Sequence, residues 1–245
     1  MFINDFNWIK YKELNPYLYI IGLRSEKEYT DNYFNEGLYK GRLYNESQLN
    51  NSYHVLLATI GKKSIFNILT QLKNQLSEID FLTIVFDGID NSKNIDIVKE
   101  FCNDFKCKVN IILEEKNLGF WGHGIRNKHN QLDGDFIFHV DDDDIIFENT
   151  FNIIRKYCVN KNIIYIFKIM LENNALIWKK KEIKYGNIST QSGIIPNKIN
   201  STGYWVLKYG GDYDFYKNLC EKNNYIFMDY LIYKKNGNKK KINKI

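Results

Sequence analysis

The chain has 245 residues, room for one large domain or two small ones, and with 44% hydrophobic and 16% aromatic residues it can bury a sizeable core. Charged residues make up an ordinary 26% and leave a net charge of +5. No apolar run approaches the ~20 residues of a bilayer span, and Met1-Phe-Ile-Asn-Asp5 lacks the basic-then-apolar order of a secretory signal. The four cysteines, Cys102, Cys107, Cys158 and Cys220, form neither a CxxC pair nor a zinc-like spacing, so free thiols in a reducing cytoplasm are expected. Lys179-Lys-Lys181 and the tail Lys239-Lys-Lys241 with Lys244 concentrate the positive charge. That tail is a candidate for peripheral membrane contact. A nucleic-acid partner would rest on charge alone, with no recognisable motif, and is not expected.

The first ~50 residues are rich in Tyr and Asn with weak periodicity, and read as an appendage of unassigned role. From His54 the pattern changes. His54-Val-Leu-Leu-Ala-Thr-Ile60 is an apolar run of strand formers. Gly61 to Ser64 then turns into a helix with Ile65, Ile68, Leu69, Leu72 and Leu76 at spacings of three and four. Phe81 to Phe86 predicts the second strand, Ile95 to Phe105 a helix, Val109 to Leu113 the third strand and Phe136 to Val140 the fourth. Near-continuous apolar strands alternating with helices predict a parallel sheet covered on both faces. Ligands of such sheets bind beyond the strand C-termini, where Thr59, Asp87, Glu114 and the run Asp141 to Asp144 would converge. Beyond residue 145 the pattern predicts a helix over Asn149 to Tyr157 and a strand pair, Ile163 to Ile169 and Ala175 to Trp178, turning at Asn173-Asn174. Ser192 to Pro196 reads as a loop, Asp212 to Asn223 as a helix and Tyr225 to Tyr233 as a last strand.

Four adjacent carboxylates repel one another strongly, so a strand that delivers them to its end predicts a divalent cation there, the alternative being an exposed acidic turn that caps the next helix. Hard ions such as Mg²⁺ and Mn²⁺ take oxygen ligands, often one or two carboxylates shared with substrate phosphates. Asn117-Leu-Gly-Phe-Trp-Gly-His-Gly-Ile-Arg-Asn127, about 15 residues upstream, adds three glycines and then Arg126-Asn127. Glycines let a backbone approach a ligand closely, and a guanidinium fork suits phosphate. The spacing is not that of a P-loop.

The order of these segments resembles the GT-A glycosyltransferases, in particular the large inverting family 2. Leu57-Ala-Thr-Ile-Gly61 matches the opening strand and polar turn, Asp87 the acidic end of the second strand, and Asn117 to Asn127 the N-x-G-x-x-x-A-R-N segment. Gly134-Asp-Phe-Ile-Phe-His-Val-Asp-Asp-Asp-Asp144 matches G-D-x-I-x-x-x-D-x-D-D. Gly210-Gly-Asp-Tyr-Asp-Phe-Tyr216 is similar to the stretch that supplies the family's catalytic base, with Gly211 in place of the usual glutamate and, upstream, Ile125 in place of the usual alanine.

The resemblance implies an α/β fold: a GT-A type Rossmann-like sheet with helices on both faces, plus an acceptor-side α+β half. It divides the chain into an appendage (1–52), a nucleotide-sugar-binding half (53–145), an acceptor-binding half (146–235) and a basic tail (236–245). It implies transfer of a sugar, with inversion, from a nucleotide-diphosphate donor, a UDP-sugar before others, to a hydroxyl of a free, lipid-linked or protein-linked glycan in the cytoplasm. Mn²⁺ or Mg²⁺ is the implied cofactor, held by Asp141 and Asp143. Thr59, Asp87, Asn117, Gly119, Arg126, Asp141 and Asp142 would bind the donor, with Asp87 reading uracil N3–H. Asp212 would be the general base, with Asp214 as its rival. His123 and His139 read as structural. Trp121, Tyr204 and Trp205 are more readily core than sugar-stacking residues. Two alternatives are a degenerate domain that binds without turnover, favoured by Gly211, and a sugar-phosphate nucleotidyltransferase, disfavoured because no early G-x-G-T-R-type loop is present.

Overall fold

A computed structural model describes residues 6–44, 48 and 50–236; the basic tail after residue 236 and the first five residues lie outside the described part. The centre is a nine-stranded mixed sheet with the order β3-β2-β1-β4-β8-β6-β9-β5, and β7 pairs with β6 at the side.

The parallel half carries the expected alternation. Strand β1 (Tyr53–Thr59) is buried along its whole length and pairs in parallel with β2 (Phe81–Phe86) and β4 (Phe136–Asp141). Strand β3 (Lys108–Leu113) pairs with β2, on the sheet's edge, and is correspondingly less buried. Helices α4 (Ile65–Lys73) and α5 (Ile95–Cys102) provide the crossovers, and α4 turns Ile65, Ile68, Leu69 and Leu72 inward. The short helix α6 (His123–Lys128) follows the glycine-rich loop. All four strands point the same way, so the ends of β1, β2 and β4 share an edge.

The second half is mixed. After the two-residue β5 (Ile145–Ile146), helix α7 (Thr150–Tyr157) leads into β6 (Ile163–Met170), which turns at Asn174 into β7 (Leu176–Ile177). The stretch expected as a loop, Ser192 to Pro196, is instead strand β8 (Gly193–Pro196), fully buried and antiparallel to both β4 and β6. Four residues are too short to show alternation, and a strand buried on both faces shows none. Pro196 ends this strand opposite Phe136, where a missing N–H is tolerated. Helices α8 (Asn197–Asn200) and α9 (Gly211–Lys222) follow, and β9 (Asn224–Lys234) closes the sheet parallel to β6.

The residues before β1 form helices α1 (Trp8–Leu14), α2 (Tyr17–Ile20) and α3 (Glu26–Asn32) and a π-helical turn at Tyr33–Gly37. Tyr11, Tyr29 and Tyr33 are fully buried and belong to the same apolar core as the sheet's β1, β4 and β6.

Candidate active site

A cleft of about 320 Å³ opens at the C-terminal edge of β1, β2 and β4, lined by Thr59, Lys62, Asp87, Asn117, Trp121 and Asp141 to Asp143 among others. A larger hollow of about 670 Å³ lies at the opposite edge of the sheet, by Gly134, Asp135 and Asn197, and receives none of the predicted site residues.

The cleft is built from strand ends. Thr59 at the end of β1 donates its hydroxyl to Asp142 Oδ2 at 2.5 Å and accepts the Gly61 N–H at 2.9 Å, so the first turn is tied to the aspartate run. Asp87 just past β2 is buried and accepts the N–H groups of Leu118 and Gly119 at 2.6 and 3.1 Å. Its carboxylate thereby pins the glycine-rich loop to the cleft wall while still lining the cleft. The loop then runs through Gly119, Phe120, Trp121 and Gly122 with positive φ at each. Two successive non-glycine residues in that region are costly, and such strain persists only where the surroundings impose it. Gly122 cannot be larger: a Cβ there would lie 2.7 Å from Arg126 Nη1 and 2.8 Å from Ala58 Cβ.

Arg126 lies beneath the cleft rather than in it. Its side chain is 0% exposed, with hydrogen bonds to the carbonyl oxygens of Trp121 (2.8 Å) and Val140 (3.4 Å) and an ion pair to Asp141. In this arrangement the guanidinium fixes Asp141 and the loop carbonyl of Trp121. Gln191, which nothing in the sequence singled out, donates to the other Asp141 oxygen and belongs to the buried turn before β8.

The aspartates have four distinct settings. Asp141 is held by Arg126 and Gln191. Asp142 is buried against Thr59, and burial pushes its pKa up to about 6. Asp143 faces the cleft and pairs with Lys62 Nζ at 2.9 Å. Asp144 is buried, accepts the Asn236 N–H at 2.9 Å, and is pushed up to about 7 by burial and by the neighbouring Asp141 charge. Glu114 does not join them: it turns to α6, where Lys128 and His129 (2.6 Å) hold it.

In the first turn of α9, Asp212 Oδ1 accepts the Tyr213 N–H at 2.9 Å, while Asp214 pairs with Lys208 at 2.7 Å. Between α9 and β4 stands His123, which hydrogen-bonds the Val206 carbonyl at 3.0 Å. Burial, first, and the Arg126 charge depress its pKa, opposed by the Val206 hydrogen bond and by the charges of Asp212 and Asp141. A Cβ on Gly211 would lie 2.1 Å from the Val206 oxygen and 2.9 Å from His123 Nδ1. The departure from glutamate at this position thus follows from close packing of α9 against His123. Trp205 is core, stacked on Phe215 at 3.9 Å, and His139 is buried beside it, as expected of both. Trp121 is not core: it is 66% exposed at the cleft mouth, edge-on to Tyr209. Tyr204 is likewise exposed.

Among the described residues, no three His, Cys, Asp or Glu side chains converge with metal-ligand spacing. The oxygen donors of Asp141 and Asp143 suit a hard divalent ion completed by a ligand's phosphates, as a half-site rather than a closed cage.

The chain matches no protein-family profile and no curated protein in sequence. Solved structures do match. A crystal structure of S. aureus TarS 1-349 shares 20% identity at a TM-score of 0.59, over 75% of this chain and 60% of that one. The same TarS segment in complex with UDP-GlcNAc shares 17% at 0.57. The mannosyltransferase PcManGT from Pyrobaculum calidifontis, in complex with GDP-Man and Mn²⁺, shares 10% at 0.57, over 77% of this chain and 58% of that one. The fold is therefore the GT-A type α/β architecture, and the chain spans about three fifths of the length of these matched chains.

Proposed function

We propose that this chain is a glycosyltransferase that uses a nucleotide-diphosphate sugar, a UDP-sugar before others, and transfers the sugar with inversion to a glycan hydroxyl. The observation that carries the reading is convergence. Thr59, Asp87, the strained loop and Asp141 to Asp143 meet at one strand edge, where open α/β sheets bind their ligands. The matched chains bound to UDP-GlcNAc and to GDP-Man with Mn²⁺ support the donor class.

In this reading the donor's base lies against Asp87 and the loop it anchors, and its diphosphate reaches the aspartate run. A divalent ion held by Asp141 and Asp143 would offset the charge that develops on the leaving diphosphate. Arg126 and Gln191 hold Asp141 in place for that task. Asp212 takes the proton from the acceptor hydroxyl as that oxygen attacks the anomeric carbon and the bond to the diphosphate breaks. A single displacement needs no covalent nucleophile. A binding-only domain is the second reading, since Gly211 stands where the resembled family has glutamate; the tight contact of Gly211 with His123 accounts for the change without loss of the base.

Calorimetry with UDP, UDP-GlcNAc and GDP-Man, with Mn²⁺ and with EDTA, tests the donor half. Binding is expected to strengthen with Mn²⁺, and Asp143→Ala is expected to abolish that gain without lowering the melting temperature. Equal affinity with Mn²⁺ and EDTA would remove the metal role. Binding without hydrolysis or transfer of any donor would favour the binding-only domain.

A further inference from the structure

We propose that Lys62 is a donor-site residue that exchanges partners, holding Asp143 in the free protein and turning onto the donor's diphosphate when a divalent ion takes that carboxylate. The inference rests on the glycosyltransferase reading. Lys62 follows Gly61 in the turn between β1 and α4, and its Nζ lies 2.9 Å from Asp143 Oδ2. Among the described residues that line the cleft it is the one cation, facing Asp87, Asp141, Asp142 and Asp143. Its neighbour Lys63 is exposed to solvent, so position, not a general basic patch, sets Lys62 apart.

The charge balance gives the exchange its direction. An anionic diphosphate entering a cleft with four carboxylates meets repulsion. Arg126 cannot relieve it, because its guanidinium is buried on Asp141 and on backbone carbonyls. Lys62 can, since a lysine carries a point charge on a flexible four-carbon stem and can leave one oxygen for another. While it stays on Asp143 it competes with any divalent ion for the same carboxylate. Once the ion is bound, the freed ammonium has diphosphate oxygens within the same cleft.

The exchange predicts two effects of opposite sign in Lys62→Gln, a substitution in a partly exposed turn. Calorimetry would use MnCl₂ alone, then UDP with Mn²⁺, then inorganic pyrophosphate with Mn²⁺ as a probe without a base. Mn²⁺ alone is expected to bind about threefold more tightly to the variant, the scale of a lost partly exposed ion pair. UDP and pyrophosphate are expected to bind about 10-fold or more weakly, the scale of a lost hydrogen bond to a charged group. Lys62→Arg should restore diphosphate affinity. Unchanged UDP and pyrophosphate affinity in Lys62→Gln, or Mn²⁺ binding no tighter than wild type, would overturn the exchange while leaving the glycosyltransferase reading in place. A wild-type protein that binds neither UDP nor pyrophosphate would overturn both.

Discussion

Asp212 and Asp214 open the same helix, yet they differ in what they can do. Asp214 is neutralised by Lys208 at 2.7 Å, whereas Asp212 accepts the neighbouring Tyr213 N–H at 2.9 Å. We therefore propose Asp212, rather than the ion-paired Asp214, as the acceptor of the hydroxyl proton. Asp212→Asn keeps the shape and removes the acceptor. A kcat loss of about 10²–10⁴-fold is expected, with donor affinity nearly unchanged. Steady-state kinetics on both variants decide the matter: full activity in Asp212→Asn with loss in Asp214→Asn would move the base two residues along. NMR of the product should show the opposite anomer to the donor. Arg126 is a positioning residue in the same sense. A planar fork links the Trp121 carbonyl, the Val140 carbonyl and Asp141, and a lysine cannot reproduce it. Arg126→Lys is therefore expected to weaken Mn²⁺-dependent UDP binding about tenfold, the scale of one charge-assisted hydrogen bond; unchanged affinity would make the guanidinium a packing feature only.

The strands β1, β2 and β4 were legible in the sequence because strands buried on both faces read as unbroken apolar runs. Their polar ends were legible for the same reason, since a carboxylate that ends such a run stands out. Strand β8 escaped because four residues carry no period, and Gln191 escaped because a buried amide in a turn has no sequence signature. The burial of Arg126 also could not be read: the sequence places it near the aspartates but does not say on which side of the backbone.

These central strands carry a further consequence in two buried histidines. His54 on β1 donates from Nδ1 to the Asp133 carbonyl at 3.0 Å and accepts the Thr83 hydroxyl at Nε2 at 2.8 Å, which fixes the neutral ring. Burial lowers its pKa to about 4, and that of His139 on β4 to about 3. Unfolded histidine titrates near 6.5. Between pH 6.5 and about 4 the unfolded chain thus binds protons that folded His54 refuses, and stability falls as pH falls. Asp142 and Asp144 act in the opposite sense, because their raised values let the folded protein take up protons first. The histidine contribution is therefore isolated by a variant. His54→Gln should be destabilised relative to wild type at pH 7, and that deficit should shrink by about 2 kcal/mol towards pH 4.5. Urea denaturation at the two pH values measures it, and a deficit independent of pH would show that His54 ionises alike in both states.

At the scale of the whole molecule, the segment before β1 behaves as part of the core rather than as an addition to it. Tyr33 is fully buried, stacks with Phe6 at 4.7 Å, and accepts the side-chain N–H of Asn160, which stands just before β6. Gln48 and Asn51 both donate to the Val159 carbonyl, at 2.9 and 3.2 Å. These links meet the sheet at the starts of β1, β4 and β6, the edge opposite the cleft. Weak periodicity hid this role, because short helices that anchor by tyrosine rings leave no regular apolar stripe. Tyr33→Ala should then cost about 3–5 kcal/mol of global stability, the range for a large buried ring. Tyr33→Phe, which loses only the hydrogen bond with Asn160, should cost about 1 kcal/mol. Because the cleft lies at the other edge, UDP affinity of Tyr33→Phe should match wild type. Chemical denaturation and calorimetry on the same samples separate the two effects. A protein beginning at residue 50 should fail to fold cooperatively, since it lacks the buried rings of Tyr11, Tyr29 and Tyr33 that share the sheet's core and the links of Tyr33 and Gln48 to Asn160 and Val159 before β6. Should that truncated protein melt at the wild-type temperature, the aromatic layer would contribute nothing to the sheet's stability and its function would have to be sought elsewhere.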